Sequence, residues 1–405
     1  MSYETYRIAD LIDEIAMGPF GSNIKVSCFV DSGVPVLNGS NLEGFSLSEK
    51  AFRFVTKEKA DSLNKANAHR GDIVITHRGT LGQIAFIPQD SRYDRYVISQ
   101  SQFRVRCNDK VLPEYLVYYF HTPIGQHKLL SNASQVGVPA LARPSSTFQQ
   151  IEVVLPELSI QKRVVEIIST IQKKIANNQE LNDNLMQQAV TIFKSWFVEY
   201  SLFDGIEPKE WETVNLEKIT SLISRGIAPK YSDNSDQIVI NQKCIRNHMI
   251  DLSQARTHTP KVINEKWLRF GDLLINSTGD GTLGRAAQVW FQPQNITVDS
   301  HVTVVRPAKE NLIFYIGLWG VLHEREIESL HTGSTGQTEL PKERVKALEL
   351  HLPDNGTLDR FNTLIAPMAA AIVSKQNENN KLATLRDALL PKLMSGEIDV
   401  SAVQL

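Results

Sequence analysis

GDIVITHRGTLGQIAF, residues 71–86, returns as GDLLINSTGDGTLGRAAQVW at residues 271–290. Gly71-Asp72 matches Gly271-Asp272, and the Thr-Leu-Gly at 80–82 matches 282–284 after a two-residue insertion. A glycine-bounded polar turn after an apolar run is typical of a phosphate cradle when it stands alone. Because this one occurs twice, it indicates an internal repeat instead.

Four further segment pairs surround this one in the same order. They are YRIADLIDEI (6–15) with WETVNLEKI (211–219), VPVLNGSNL (34–42) with IVINQKCI (238–245), SQSQFRVR (99–106) with DSHVTVVR (299–306), and IEVVLP (151–156) with LELHLP (348–353). The preserved order predicts a tandem duplication of a unit of about 200 residues. Each unit alternates short β-type segments with turn residues, followed by a helix, a polar loop, a strand and a long helical tract.

A 3.5-residue repeat runs through each long tract and predicts a coiled-coil seam. The first seam is Val164, Ile168, Ile171, Ile175, Asn178, Asn182, Leu185, Ala189, Ile192 and Trp196. The second is Phe361, Ile365, Met368, Ile372, Lys375, Asn379, Leu382, Arg386, Leu389 and Leu393. Both turn polar midway, where buried polar residues typically fix register. We expect the tracts to pack as an antiparallel pair; the alternative is that each covers only its own unit.

The predicted fold class is therefore α+β. Two similar α/β domains with β-rich cores are separated by a pair of long antiparallel coiled-coil helices, and a pseudo-two-fold axis relates the halves. The expected segments are a first domain at 1–157, a first spacer helix at 158–200, a second domain at 201–354, a second spacer helix at 355–398 and a tail at 399–405.

Composition favours a cytoplasmic protein. The chain is 42% apolar and 22% charged, with no apolar run long enough to cross a membrane and no secretion signal at its start. Its three cysteines, Cys28, Cys107 and Cys244, are scattered, as expected of reduced thiols. The formal charge of −2 does not exclude nucleic acid, because local basic patches can bind phosphates.

The enzyme motifs that we sought are missing from the sequence. The chain has no Gly-Lys dipeptide, which excludes a P-loop, and no HExxH zinc motif. Asp299-Ser300-His301 contains the residue types of a catalytic triad, but adjacent residues of a strand point to opposite faces. We therefore expect a chain that is not an enzyme by itself and that binds no metal or cofactor.

The two units share glycines and apolar residues but differ at their polar loop tips. Shared frames with different tips indicate one recognition surface that reads two targets, and these polar side chains are the types that read base edges. The DNA-binding candidates of the first unit are Ser22, Asn38, Ser40, Asn41, His77, Arg78, Thr80, Arg92, Tyr93, Arg95 and Gln135. Those of the second unit are Arg225, Lys230, Tyr231, Asn241, Lys243, Ser277, Thr278, Asp280, Thr282, Arg285, Thr335 and Gln337.

The chain resembles the specificity subunit of a type I restriction-modification enzyme over nearly its whole length. The resemblance rests on AMGPFGSN (16–23), GVPVLNGSNL (33–42), GDIVITHRGTLG (71–82), IEVVLPELSIQKRVVEII (151–168), LNDNLMQQAVTIFKSWF (181–197), HTGSTGQTELP (331–341) and LATLRDALLPKLMSGEI (382–398). The second unit departs from the pattern, because it has Ile223-Ser224-Arg225-Gly226 where the first has GPFGS.

This resemblance implies that each unit is a target recognition domain for one half of a split, asymmetric site in double-stranded DNA. It also implies docking to two methyltransferase subunits, which methylate adenine with S-adenosylmethionine, and to restriction subunits that use ATP and magnesium. Without the resemblance, a two-domain scaffold for protein partners on a coiled-coil spacer fits the sequence too. An enzyme with an unfamiliar site is a weaker third reading.

Overall fold

The structure, a computed structural model, describes residues 3–134, 137–259, 263–333 and 338–400. The chain divides into two compact units: residues 1–174 with 381–405, and residues 175–380. Each unit therefore contains one repeat and part of each long helix. Among the described residues, no helix is both long and apolar enough to span a membrane.

The first unit is built on two sheets. Its four-stranded sheet has the order Ile12–Met17, Gln102–Cys107, Ile73–Thr76, Ile84–Phe86, and its five-stranded sheet the order Phe29–Val30, Arg53–Val55, Val34–Val36, Arg95–Val97, Asn67–His69. Two ribbons pair Tyr3–Arg7 with Glu152–Pro156 and Ala133–Ser134 with Ala140–Leu141. The short helices are Lys57–Ser62, Pro113–His121, Pro123–Leu129 and Pro144–Gln149. The helices Pro113–His121 and Pro123–Leu129 follow one another and are separated at Thr122, because a proline comes next in the chain.

The second unit repeats this plan. Its four-stranded sheet has the order Thr220–Arg225, Val302–Pro307, Leu273–Asn276, Ala286–Gln288, and its three-stranded sheet the order Arg256–Thr257, Ile238–Ile240, Ile296–Val298. Two ribbons pair Glu212–Asn215 with Glu349–Leu352 and Ile245–Arg246 with Met249–Ile250. The short helices are Ile313–Leu322, Glu324–Ser329 and Lys342–Lys346. The shared strand order confirms the prediction of two similar α+β units.

The strand that precedes each repeated loop is buried on both faces. All four residues of Ile73–Thr76 and all four of Leu273–Asn276 are buried. Each strand lies inside its sheet between two antiparallel neighbours, which explains a continuous apolar run instead of an alternating one. The strand is thus a rigid base from which the loop projects.

The two long helices run over Leu158–Phe197 and Asn355–Ser395. Every residue of both predicted seams is buried or half-buried. In the second unit the helices run antiparallel: the Phe361 ring lies 4.8 Å from the Phe197 ring, and the Asn178 amide donates to Asn379 Oδ1 at 2.8 Å. In the first unit Val164 and Leu393 share one core. The left-handed supercoil of a coiled coil stays a prediction.

Candidate nucleic-acid interface

The repeated loop of the first unit, residues 77–82, is held between two other segments. The backbone N–H of His77 donates to Ser101 O, and that of Leu141 donates to His77 O, each at 2.8 Å. The Gln83 side chain donates to Gly39 O at 3.0 Å, so the turn that follows the strand Val34–Val36 lies beside the loop. Segments distant in sequence are thereby brought to one surface.

The loop of the second unit, residues 277–284, repeats these bonds. The backbone N–H of Ser277 donates to His301 O, and that of Leu340 donates to Ser277 O, again at 2.8 Å. Asn276 Nδ2 donates to Gln242 O at 3.1 Å and replaces the Gln83 contact of the first unit. The hydrogen-bonded frame is therefore the same in both units, although the side chains that complete it differ. We call residues 77–82 and 277–284 the tip loops.

The first tip loop exposes Arg78 and Thr80, whereas His77 is half-buried. His77 Nε2 lies 3.2 Å from Gln100 O. Burial lowers the pKa of His77, and the nearby Arg78 charge acts in the same direction, so the imidazole is neutral at pH 7. Arg78 is consequently the positive charge that this tip offers to a ligand.

The second tip loop places its residues differently. Ser277 is fully buried, and its hydroxyl bonds Thr303 Oγ1 at 2.6 Å, so it belongs to the interior and not to a reading surface. Thr278 Oγ1 bonds His301 Nδ1 at 2.7 Å. Asp280 is exposed, while the half-buried Thr282 and Arg285 bond to backbone oxygens of their own loop. The exposed tip is therefore acidic here and basic in the first unit.

The side chains of the asparagines at 38, 41 and 241 bond to backbone groups in and around their turns. Asn38 Oδ1 accepts from the backbone N–H of Ser40 at 2.9 Å, and Asn241 Oδ1 accepts from that of Lys243 at 2.8 Å. Both cap short 3-10 turns that lie next to the tip loops. Asn41 is fully buried and bonds three backbone groups, so it is not available to a ligand. Ser40 and Lys243 are exposed.

The basic-aromatic run at 92–96 has a structural role. Tyr93 packs in an aromatic cluster with Phe52 and Tyr96. Arg95 is paired with Asp61 at 2.5 Å, which leaves the exposed Arg92 as the cation of this run without a carboxylate partner among the described residues. Most of the run therefore stabilises the sheet and does not form a phosphate patch.

Candidates near the start of the second unit divide in the same way. Arg225 is paired with Glu339 at 2.5 Å and also donates to Leu340 O at 3.0 Å. Lys230 and Tyr231 are exposed. Gln135, Thr335 and Gln337 lie outside the described residues, as does the side chain of Ser22.

A cleft of about 360 Å³ is lined in part by Gln100, whose carbonyl oxygen contacts the first tip loop at His77. Its walls include Phe20, Asn38, Arg53 and Gln100. Phe20 is 84% exposed. The cleft joins an aromatic ring, a guanidinium and two amides, which are groups that bind nucleotides well.

Glycine is required at one equivalent position of each unit. A Cβ on Gly18 would lie 1.9 Å from Ser99 O, and a Cβ on Gly226 would lie 2.0 Å from Val298 O. Gly226 therefore replaces Gly18, and the second unit keeps the backbone approach even though it lacks the GPFGS sequence. The backbone N–H groups of Gly18 and Gly226 donate to Gln102 O and Val302 O, and these matching hydrogen bonds identify the two glycines as equivalent.

An ion pair at the start of each strand that leads to a tip loop was missed from sequence, and its carboxylate is fully buried in both units. Arg106 Nε donates to Asp72 Oδ1 at 2.9 Å, and Arg306 Nε donates to Asp272 Oδ1 at 2.7 Å. Both pairs are 34 residues apart in the chain, so the repeat itself contained the signal. The carboxylate also accepts the backbone N–H that begins the turn, at His69 or Arg269, and so fixes the strand entry.

Asp299 forms an isolated β-bridge with Ile227, and Ser300 and His301 form the turn that follows, so the three residues do not lie along one strand as expected. Asp299 Oδ1 accepts from the backbone N–H of His301 at 2.9 Å, while the His301 ring bonds Thr278. Burial raises the pKa of Asp299. This carboxylate therefore shapes the turn and does not orient the imidazole for catalysis. Among the described residues, no group of three or more His, Cys, Asp or Glu side chains could hold a metal ion.

Two repeated domains, each with a tip loop on a common frame, match a known sequence profile. The profile of the type I restriction modification DNA specificity domain matches residues 2–187 and 208–366. The chain belongs to this family. It is thus a specificity subunit of a type I restriction-modification system with two recognition domains, and family membership confirms that it is not an enzyme by itself.

Two specificity subunits of other organisms are similar to most of the chain. The MjaIX specificity subunit of Methanocaldococcus jannaschii is 24% identical over 98% of this chain and 94% of its own length. The HindI specificity subunit of Haemophilus influenzae is 21% identical over 81% of this chain and 87% of its own. The fold is similar to the crystal structure of an S subunit from M. genitalium, with a TM-score of 0.57 at 13% identity over 97% of this chain and 96% of that one.

Proposed function

We propose that this specificity subunit reads a bipartite, asymmetric site in double-stranded DNA, one half per recognition domain. The observation that carries the proposal is the pair of tip loops, which have one backbone frame and opposite exposed charges at Arg78 and Asp280. An arginine suits the acceptors of guanine, whereas a carboxylate accepts from the amino group of cytosine. Two half-sites of different sequence follow from two tips of different chemistry.

The long helices would set the gap between the half-sites. The first is 40 residues long, which corresponds to about 60 Å at about 1.5 Å per residue. One heptad inserted in each helix would lengthen the spacer by about 10 Å, or about 3 base pairs. Methylation mapping should then show a longer gap between unchanged half-sites. An unchanged gap would remove the spacer role from the helices.

Partner subunits would supply the chemistry. We infer docking to two methyltransferase subunits with S-adenosylmethionine, and to restriction subunits that hold ATP and magnesium. The long helices support this, because Leu181, Leu364 and Leu385 are 45–49% exposed on them. Exposed leucines on a long helix suit packing against helices of another chain.

Substitution of one exposed tip residue tests the reading role. Arg78→Ala should relax or shift one half-site by about 1–3 kcal/mol of discrimination and leave the other half-site intact. Asp280→Ala should do the same to the other half. Genome-wide methylation mapping in the host reads both halves at once.

Arg7→Ala is a matched control, because Arg7 is an exposed arginine on the separate ribbon Tyr3–Arg7. It should leave the methylated sequence unchanged. If both tip variants also leave it unchanged, the tips are not the reading surface. Random-sequence duplexes that fail to bind the chain, with and without a methyltransferase subunit, would favour a scaffold for protein partners.

A further inference from the structure

An arginine lies at the same strand register in both units. In the first, Arg53 faces Val36 across an antiparallel pair; in the second, Arg256 faces Val239. The two valines in turn have parallel neighbours that are 200 residues apart in the chain, at 97 and 297. The register therefore makes Arg53 and Arg256 equivalent, although no motif in the sequence aligns them.

Each arginine is stacked on an aromatic ring that is equivalent too. Phe29 faces Val55, two residues after Arg53, and Tyr231 faces His258, two residues after Arg256. The guanidinium carbon lies 5.2 Å from the Phe29 centroid and 3.6 Å from the Tyr231 centroid. Stacking on a ring holds a guanidinium in place and leaves its N–H groups free to donate.

Both arginines are exposed, and neither pairs with a carboxylate within the described parts of the chain. Arg95 and Arg225 differ from them, because Asp61 and Glu339 neutralise those two. An ordered, exposed and unpaired guanidinium is suited to bind an anion in a bidentate manner.

The arginines lie next to the capped turns that border the tip loops. Arg53 lines the cleft that Asn38 and Gln100 also line. In the second unit, Asn241 Nδ2 donates at 2.9 Å to the carbonyl of Gln254, two residues before Arg256. In each unit the arginine therefore lies at the edge of the surface assigned to DNA.

We propose that Arg53 and Arg256 are equivalent phosphate-contact residues, one in each recognition domain, that fix the domain on the DNA backbone. This rests on the proposed function. The tips differ between the units, as half-sites of different sequence require, but the arginine and its ring are the same in both. Two half-sites of different sequence share only the phosphate backbone. A residue that is the same in both units therefore suits a phosphate contact better than a base contact.

The salt dependence of DNA binding tests the proposal. The full chain with its methyltransferase subunit is titrated with a pool of random-sequence duplexes over a range of salt concentrations. Arg53→Gln and Arg256→Gln should each lower the slope of log K against log salt by about 0.9, and the double variant by twice that. The methylated sequence should stay the same for all three, because phosphate contacts do not read bases.

Arg360→Gln is the matched control. Arg360 also stacks on an aromatic ring, that of Trp196 at 5.7 Å, but it lies on the second long helix. Its slope should equal that of the wild type. Phe29→Leu and Tyr231→Leu keep the charge and remove the ring, so they should weaken binding without a change of slope.

An unchanged slope in both arginine variants would overturn the proposal, and so would an altered half-site, since that would show base reading. These outcomes differ from a failure of the proposed function, in which the wild-type complex itself would not bind the duplex pool. A thermal melt of each variant checks that the exposed substitutions leave the fold intact.

Discussion

The residues that support the repeated loop are the same in both units, whereas the exposed residues at its tip differ. We call the supporting residues, which are a buried aspartate, its arginine and a glycine, the frame. The frame has the same buried carboxylate, the same arginine 34 residues later and the same close glycine in both units. The tip has exposed Arg78 in one unit and exposed Asp280 in the other. Parts that fold the domain are repeated, whereas parts that face outward diverge.

The frames are equal in plan but not in strength. Asp272 and Arg306 are a closed pair, with side chains 0% and 7% exposed. In the first unit, Asp72 shares its two arginines with Glu14, which lies 2.9 Å from Arg104. In the first unit, Glu14 can therefore still pair with the arginines if Asp72 loses its charge. In the second unit, no second carboxylate pairs with Arg306 among the described contacts.

The largest effect is expected from Asp272→Asn. It keeps the side-chain shape but leaves the Arg306 charge buried without a carboxylate, which costs about 3–5 kcal/mol. Hydrogen exchange of the strands Leu273–Asn276 and Val302–Pro307, measured by mass spectrometry, should rise accordingly.

Asp72→Asn provides the comparison. Its cost should be clearly smaller, because Glu14 still pairs with Arg104 and Arg106 is itself 42% exposed. Equal costs in the two units would show that Glu14 gives no reserve, and the proposed asymmetry of the frames would be lost.

A smaller loss of stability is expected at the turns capped by Asn38 and Asn241, which lie next to the tip loops. Asn38→Ala removes the acceptor for the Ser40 N–H and should lower the free energy of unfolding by about 1 kcal/mol. Asn38→Ser keeps a capping oxygen and should restore most of the loss. Urea denaturation compares the two variants.

Thr80→Ala is the control on the exposed tip and should stay within about 0.5 kcal/mol of the wild type. If Asn38→Ala is equally neutral, Asn38 does not support the turn and belongs with the tip. If Asn38→Ser is stable but changes the methylated sequence, the side chain both caps the turn and reads DNA.

Much of the fold could be predicted from the sequence, because the two repeats can be aligned with each other and segments present in both mark the structural elements. Segments such as 71–86 and 271–290 identified the units, and the 3.5-residue spacing identified both long helices within a few residues of their ends. Strands of two or three residues, such as Phe29–Val30, have no periodicity of their own. Their positions depend on partners distant in sequence, so only the structure shows them.

The site was less predictable, because residue type does not report burial. Asn41 and Ser277 have side chains suited to reading bases, yet both are fully buried and bonded inside the protein. Arg95 and Arg225 are basic, yet each is neutralised by a carboxylate far away in the sequence. Arg53 was overlooked because only strand register relates it to Arg256.

The smallest expected effect is a difference in pH dependence at the first residue of the tip loops. Burial lowers the pKa of His77 in the folded chain, so the unfolded chain takes up the proton first as pH falls. The free energy of unfolding should therefore decrease as pH drops below about 6.5, the ordinary pKa of histidine. His77→Gln removes this contribution and should give a flatter profile between about pH 7.5 and about pH 5.5.

Burial lowers the pKa of His121 in the same unit as well, so His121→Gln is measured alongside. Each substitution should flatten the profile in part, and the double variant should flatten it further. The equivalent of His77 in the second unit is Ser277, which does not titrate in this range. Hydrogen exchange of the strand Ile73–Thr76 should therefore depend on pH through His77. The exchange of the strand Leu273–Asn276 should lack this contribution. A His77→Gln profile as steep as that of the wild type would show that the imidazole is as free to protonate as in solvent, and hence that the first tip begins at residue 77 and not at Arg78.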